Sequence, residues 1–140
     1  MHDRLDQTAL REKIPEEFFV EDRMLGNVLL SQCPSREILH QITGKWGLLV
    51  MFVLKNGTKR FGELRREVQG VSERMLTQTL QQLEENKMLL RKSFNTVPPH
   101  VEYTLTPLGE EAAGKIKELV DWLQFNIGDI LVNKMTLEKQ

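Results

Sequence analysis

Two short helical patterns followed directly by two extended runs limit the fold of this chain more than any other feature of its sequence. Apolar residues recur every three or four positions over residues 61–68 and again over 73–86, and Gly70 lies between these patterns. The period then changes, because MLLRKSFNTV and HVEYTLT flank Pro98-Pro99, and apolar and polar residues alternate in the second run. Since proline disrupts helices, this stretch predicts a β-hairpin with a stiff tip.

A short helix, a tight turn through Gly70 and a second helix are typical of a helix-turn-helix, and a following hairpin makes it a winged helix-turn-helix. Ser72 is the expected N-cap of the second helix, with Glu73 in its first turn. Upstream, the apolar spacing over residues 35–54 predicts two helices or one bent helix, because Gly44 lies inside the pattern.

The two ends of the chain carry different patterns. Residues 1–14 show no apolar periodicity and predict a mobile arm, whereas residues 15–32 predict a helix. Thr106-Pro107 is an N-cap followed by an N1 proline, and the spacing behind it predicts a helix that runs to about residue 133.

The C-terminal helix predicts a dimerisation surface. Its proposed contact residues are Ile116, Leu119, Leu123 and Ile127. Trp122 and Phe125 lie off this seam, and so small a domain has little core left to cover a second apolar face. A homodimer would bury that face, and packing against the predicted N-terminal helix is the alternative.

These elements fit one domain with arms, and 140 residues can bury a core of that size. The expected fold class is mainly α (α+β), a winged helix-turn-helix with N- and C-terminal dimerisation helices. The expected parts are an N-terminal arm and helix (1–32), the winged domain (33–106) and the dimerisation helix (107–140). With no membrane-spanning apolar run, no signal peptide and one cysteine, a cytoplasmic protein is expected.

Charge is segregated along the chain. Residues 55–92 hold nine Lys or Arg and five Glu, a net charge of +4, whereas the remaining residues carry −5. A basic middle favours a polyanionic partner. If Leu76, Leu80 and Leu83 face the core, a polar stripe faces outward on the same helix, and its members are Arg74, Thr77, Gln78 and Gln81.

This polar stripe suits double-stranded DNA. Arg pairs with guanine edges, Gln pairs with adenine, and Thr meets a phosphate or a thymine methyl group. In a helix-turn-helix the second helix places its N-terminal residues on base edges. A merely solvated helix face is the alternative for the stripe.

Two further regions are candidates for contacts with the DNA backbone. Arg60, Arg65 and Arg66 lie on or next to the first helix of the motif, which crosses the backbone. Pairing with Glu63 or Glu67 is the alternative for these cations. The hairpin tip, with Pro98, Pro99 and His100, fits a wing that lies along the phosphates or enters a minor groove; its alternative is a turn that only limits edge pairing.

Cys33 is the only cysteine and precedes Pro34 at a predicted helix start, where a thiol pKa falls. His40 is two turns away, too far for a nucleophile–base pair, and no oxyanion hole is evident, so we expect no enzyme. A buried structural cysteine and a sensor of oxidants or electrophiles remain as interpretations. No histidine has metal-ligand spacing with Cys33, and we expect neither a metal nor another cofactor.

Several motifs over residues 33–125 resemble the HxlR-type transcriptional regulators. They are Cys33-Pro34, Gly44-Lys45-Trp46, Arg60-Phe61-x-x-Leu64-Arg65, the run from Val71 to Leu76, and the run from Pro98 to Gly109. The chain departs from the family by Thr43, where a second glycine is common, and by a longer N-terminal arm.

The resemblance implies a bacterial, cytoplasmic, dimeric winged helix-turn-helix protein that binds palindromic operators. At matching positions it implies DNA contacts by Arg65, Ser72, Arg74, Thr77, Gln78 and the wing around Pro98–His100. Some members of the family use the cysteine that matches Cys33 to sense oxidants or aldehydes.

The leading hypothesis is a homodimeric, sequence-specific transcriptional regulator of the nucleoid that binds an inverted repeat in double-stranded DNA and responds to an unidentified small-molecule or redox effector. A winged-helix module that binds protein rather than DNA is the alternative. No membrane partner is expected.

Overall fold

The computed structural model describes residues 5–138, and residues 1–4 of the predicted arm lie outside the described residues. The helices are α1 (Pro34–Thr43), α2 (Lys45–Leu54), α3 (Phe61–Glu67), α4 (Glu73–Glu85) and α5 (Pro107–Glu138). The strands are β1 (Phe19–Val20), β2 (Arg23–Met24), β3 (Lys59–Arg60), β4 (Leu89–Phe94) and β5 (His100–Leu105). The mainly helical fold class and its helix-turn-helix–wing order are therefore confirmed.

The hairpin predicted from the alternating run is formed by β4 and β5. These strands pair antiparallel from Leu89 opposite Leu105 to Phe94 opposite His100, and β3 adds to the other edge of β5. Leu89, Tyr103 and Leu105 are buried, so one face of the hairpin packs on the helices. The proline-rich tip projects beyond the paired residues.

One hydrophobic core joins α2, α3, α4, the sheet and the first turns of α5. Its most deeply buried large side chains are Val50, Met51, Leu54, Leu64, Leu76, Leu83 and Leu89. Residues 35–54 form two helices because the backbone at Gly44 takes an extended conformation, with ψ at 155°. Helix α1 then packs across α2 and α4.

The prediction of a helix over residues 15–32 is wrong. Residues Glu16–Phe18 form a single 3-10 turn, and the chain then reverses through β1 and β2, with Glu21 at a positive φ of 58°. The apolar stripe that suggested a helix has no surface to cover: among residues 5–32 Phe18 alone is buried, while Val20 and Leu25 are 59% and 66% exposed. The guanidinium of Arg11 fastens the hairpin by binding the Glu16 carboxylate and the Glu21 carbonyl.

Helix α5 begins as predicted and runs further than predicted, through Gly128 to Glu138. The Thr106 hydroxyl caps it by accepting the Gly109 N–H at 3.0 Å. Ala113 and Ile116 lie in the core, whereas most apolar residues beyond them do not. No helix in the described part of the chain is long and apolar enough to cross a membrane.

Candidate nucleic-acid interface

The turn between α3 and α4 fixes the angle at which α4 leaves the core. Leu64, Val68 and Val71 are at most 5% exposed, so both sides of the turn are anchored. Gly70 has φ of +93°, a conformation that favours glycine. The Ser72 hydroxyl then accepts the Met75 N–H at 3.1 Å and caps α4, as the sequence predicted.

Helix α4 separates a buried face from an exposed polar face. Leu76, Leu80 and Leu83 are at most 2% exposed and point into the core. The predicted stripe lies together on the opposite, exposed face, and its members are Arg74, Thr77, Gln78 and Gln81. This face presents guanidinium, amide and hydroxyl groups from one helix, and groups of these types can pair with base edges.

The basic residues around α3 are divided between free and paired cations. The Arg65 guanidinium binds the Glu73 carboxylate at 2.8 Å, and Lys59 binds Glu67 at 3.1 Å. Arg60 and Arg66 are exposed, and the Arg60 backbone N–H donates to the Glu63 carboxylate at 3.0 Å. The sequence anticipated pairing of this kind but missed the Arg65–Glu73 contact, because it crosses the turn rather than one helix.

His100 stabilises the wing, which is formed by β4, β5 and the tip between them. Its ring stacks on Phe94 with 4.7 Å between the ring centroids. Its Nε2 lies 2.9 Å from the Glu102 carboxylate, and its Nδ1 lies 3.1 Å from the Thr96 hydroxyl, which donates to the Pro98 carbonyl. Both ring nitrogens are therefore occupied within the wing, while Pro98 and Pro99 stay exposed at its tip. The sequence analysis missed the contact between Phe94 and His100. The hairpin register could have indicated it, because these two residues form the last pair of β4 and β5 before the tip.

Residues 41–130 match the family model for the HxlR-like helix-turn-helix. The chain belongs to the HxlR-like helix-turn-helix family. The HTH-type transcriptional regulator YtfH of Escherichia coli K12 is 50% identical over 127 residues, which cover 91% of this chain and 94% of that protein.

Solved structures agree with this HxlR-like assignment. The putative transcriptional regulator ytfH from Salmonella typhimurium is 49% identical, with a TM-score of 0.75 over 79% of this chain and 98% of that one. The redox regulator HypR in its oxidized form is 35% identical, with a TM-score of 0.62 over 67% of this chain and 97% of that one. This HxlR-like protein is thus a DNA-binding transcriptional regulator of the winged helix-turn-helix type, and, as predicted, not an enzyme.

Cys33 of this HxlR-like chain is the N-cap residue of α1, and its side chain is 2% exposed. Its Sγ lies 3.0 Å from the Ser35 hydroxyl and accepts the Asn27 N–H at 3.3 Å. The Ser35 hydrogen bond, followed by that from Asn27, lowers the pKa of the Cys33 thiol against the opposing effect of burial. The thiol is therefore both easier to ionise than usual and covered.

The segment of residues 26–30 covers this thiol, since the Asn27 N–H donates to its Sγ and a Cβ added at Gly26 would lie 3.8 Å from it. The Arg36 guanidinium holds the segment by donating to the carbonyl oxygens of Val28 and Leu29 at 2.9 and 2.7 Å. Leu29 is 81% exposed, so the segment is attached mainly by these polar contacts rather than by apolar packing. Within the described residues, no group of three or more His, Cys, Asp or Glu side chains is arranged to hold a metal.

The outer part of α5 presents an apolar face. Of the predicted dimerisation residues, Ile116 packs within the core of its own chain and is 7% exposed, whereas Leu119, Leu123 and Ile127 are 56%, 44% and 44% exposed. Other exposed apolar side chains on the outer part of α5 are Trp122 and Phe125, which lie off this seam, and Leu131, Val132 and Met135. Exposed apolar side chains grouped on one helix are typical of an interaction surface.

Proposed function

We propose that this protein acts as a homodimer that binds an inverted-repeat operator in double-stranded DNA, within the cytoplasm and at the nucleoid. The observation that carries this proposal is the exposed stripe of Arg74, Thr77, Gln78 and Gln81 opposite the buried leucines of α4. A rigid helix that presents such groups fits the major groove, whose base pairs carry distinct donor and acceptor patterns.

The proposed DNA contacts fall into three groups, which are contacts to base edges, to the phosphate backbone and by the wing tip. Arg74 pairs with guanine and Gln78 and Gln81 with adenine, because these side chains bind those edges in bidentate fashion. Arg60, Arg65 and Arg66 neutralise phosphates, and Ser72 sits where the capped start of α4 approaches the backbone. Pro98 and Pro99 touch the adjacent backbone or minor groove at the wing tip, with His100 keeping the wing in shape.

The apolar face of α5 supports the proposed dimerisation. A second copy is the occupant we propose because Leu119, Leu123 and Ile127 form a continuous face over two turns, and inverted-repeat binding needs a two-fold axis. The axis would place two α4 helices in successive major grooves about 34 Å apart. We expect Leu123→Glu to sediment as a monomer, whereas the control Val97→Asp, at the fully exposed wing tip, stays dimeric.

Contacts by α4 are tested on DNA fragments that the purified protein selects from its own genome. Fluorescence anisotropy should show that Arg74→Ala weakens binding about ten- to a hundredfold and relaxes specificity at one base pair. Arg23→Ala is the matched control, because Arg23 is exposed on β2 and distant in sequence from the motif. Unchanged binding by Arg74→Ala would remove α4 from the interface, and failure of the folded wild type to select any DNA would favour the protein-binding module.

A redox or electrophile response through Cys33 is the finer part of this proposal. The lowered thiol pKa favours the thiolate, and the redox regulator HypR, which shares this fold, offers a precedent for such a role. With a hydroperoxide, the thiolate sulfur would attack oxygen, the O–O bond would break and the leaving oxygen would take a proton, giving a sulfenic acid. Peroxide treatment should weaken operator binding by wild type and leave Cys33→Ser unaffected; equal responses would exclude Cys33.

A further inference from the structure

Two clefts run along the two sides of the exposed α4 stripe. The first, of about 360 Å³, lies between α4 and the junction of α1 with α2, and Gln78, Gln82, Lys45 and Trp46 line it. The second, of about 510 Å³, lies between α4 and the sheet, and Thr77, Gln81 and Arg91 line it. The stripe thus forms a ridge with one cleft on either side.

A helix in the major groove has a phosphate backbone on each side of it. If α4 occupies that groove, the two clefts receive the two strands. The sheet-side cleft is lined by one cation, Arg91, and one carboxylate, that of Glu84, and it lies next to the wing. The other cleft, away from the wing, needs a cation of its own to hold the opposite strand.

Lys45 is placed for that task. It is exposed at the start of α2, and its Nζ lies 4.6 Å from the ring centre of Trp46. Over residues 5–137, no carboxylate lies within ion-pairing distance of this ammonium, in contrast with those of Lys55 and Lys59. Its charge is consequently available to an external anion.

Trp46 fixes the ammonium relative to the recognition helix. The ring is half-buried, packs against the core, and lies 3.8 Å from the position of a Cβ on Gly70 in the α3–α4 turn. Because the ring lies beside that turn, it places Lys45 close to the start of α4. Glu37 lies in the same cleft and opposes an anion there, although the Gln41 amide donates to its carboxylate at 3.4 Å.

We propose that Lys45, positioned by Trp46, binds a phosphate of the DNA strand on the α1–α2 side of the recognition helix. This inference rests on the proposed function, since it assumes that α4 enters the major groove. It extends the footprint of each protomer to the side opposite the wing. Together with Arg91 on the sheet side, it brackets the base-reading stripe between two cations.

The test is a salt titration of binding to the selected DNA. Lys45→Gln should lower affinity roughly three- to tenfold at 0.1 M salt, reduce the slope of log K against log salt by about one and leave base preference unchanged. Lys45→Arg should restore the slope, and Lys115→Gln on exposed α5 is the control that should change nothing. Glu37→Gln should tighten binding, because it removes the opposing charge.

Single methylphosphonate substitutions in the same DNA locate the contact. One neutralised phosphate on the α1–α2 side should weaken binding by wild type and have no further effect on Lys45→Gln. An unchanged salt slope in Lys45→Gln would overturn the inference. It would also be overturned if every methylphosphonate and Lys45→Gln lowered affinity additively. Arg74→Ala tests the proposed function independently of either outcome. Absence of DNA binding by wild type would overturn both together.

Discussion

The Arg65 guanidinium lies 2.8 Å from the Glu73 carboxylate, across the turn that joins α3 to α4. The pair connects a cation expected to meet phosphate with the first turn of the helix expected to read bases. Its side chains are 49% and 69% exposed, so the pair adds little to stability. Arg65 can therefore leave Glu73 for a phosphate at small cost.

Removal of this internal competitor should strengthen DNA binding. We expect Glu73→Gln to raise affinity severalfold at low salt, because it frees Arg65 and removes a negative charge near the backbone, while stability changes by less than about 1 kcal/mol. Anisotropy titrations measure the gain. Glu85→Gln at the far end of α4 is the control, and a gain equal to that of Glu73→Gln would mean that only net charge matters.

The start of α5 depends on a close approach at Gly109. A Cβ there would lie 1.8 Å from the Met88 carbonyl oxygen, so Gly109→Ala must displace backbone. We expect a loss of about 1–3 kcal/mol in the free energy of unfolding, measured in urea. Gly114→Ala, where a Cβ meets open space on the same helix, should instead stabilise by about 0.5–1 kcal/mol; matching losses in both variants would contradict the packing argument.

The environment of Cys33 predicts its pH dependence. Because hydrogen bonds from Ser35 and Asn27 lower the thiol pKa, the pH midpoint of alkylation should lie below that of an unperturbed cysteine. Since the folded pKa is below the unfolded value, the unfolded chain binds more protons between them, and stability should rise with pH through that window. Cys33→Ala should remove this part of the pH dependence.

Ser35 makes the leading contribution, so Ser35→Ala should move the alkylation midpoint upward. Ser31→Ala is the matched control on the exposed approach to Cys33. The midpoint, rather than the absolute rate, is the useful quantity, because opening of the covering segment limits access to a thiol that is 2% exposed. A midpoint unaffected by Ser35→Ala would show that this hydroxyl does not stabilise the thiolate.

His100 should act on DNA binding through the shape of the wing. Because both ring nitrogens are occupied by Thr96 and Glu102, His100→Ala should weaken binding without changing the salt slope. His100→Phe, which keeps a ring to stack on Phe94, should retain more affinity than His100→Ala. A slope reduced by about one in His100→Ala would instead indicate a direct phosphate contact.

Local signals predicted the elements of the winged domain well. Leucine spacing and the Ser72 cap predicted α4, and the alternation before Leu105 predicted β5. In each case the packing of the core is compatible with the local preference. The N-terminal prediction failed because helical spacing alone says nothing about a packing partner. Among the described residues Val20 and Leu25 are 59% and 66% exposed, and the chain turns at Glu21, whose φ is positive.

The candidate interface was predictable as a face of α4 but not as a set of contacts. Arg65 with Glu73, and Lys45 beside Gln78, meet only when α2, α3 and α4 pack, and no short-range pattern contains that arrangement. The predicted seam of α5 has a buried part and an exposed part. Ile116 is buried because α2 and the sheet cover the first turns of that helix, and the residues that follow it on the seam are exposed. Sequence periodicity identifies the exposed faces of α4 and α5, and tertiary packing decides which of their residues remain free to contact a partner.

Hydroxyl-radical footprinting on a genomic fragment selected by the protein tests the central claim most directly. The account predicts two protected half-sites, related by a two-fold axis and centred about 10 base pairs or a multiple of that apart, with protection lost in Arg74→Ala. A single protected site without a symmetric mate would contradict the dimeric model. Uniform protection that Arg74→Ala leaves unchanged would contradict base reading by α4.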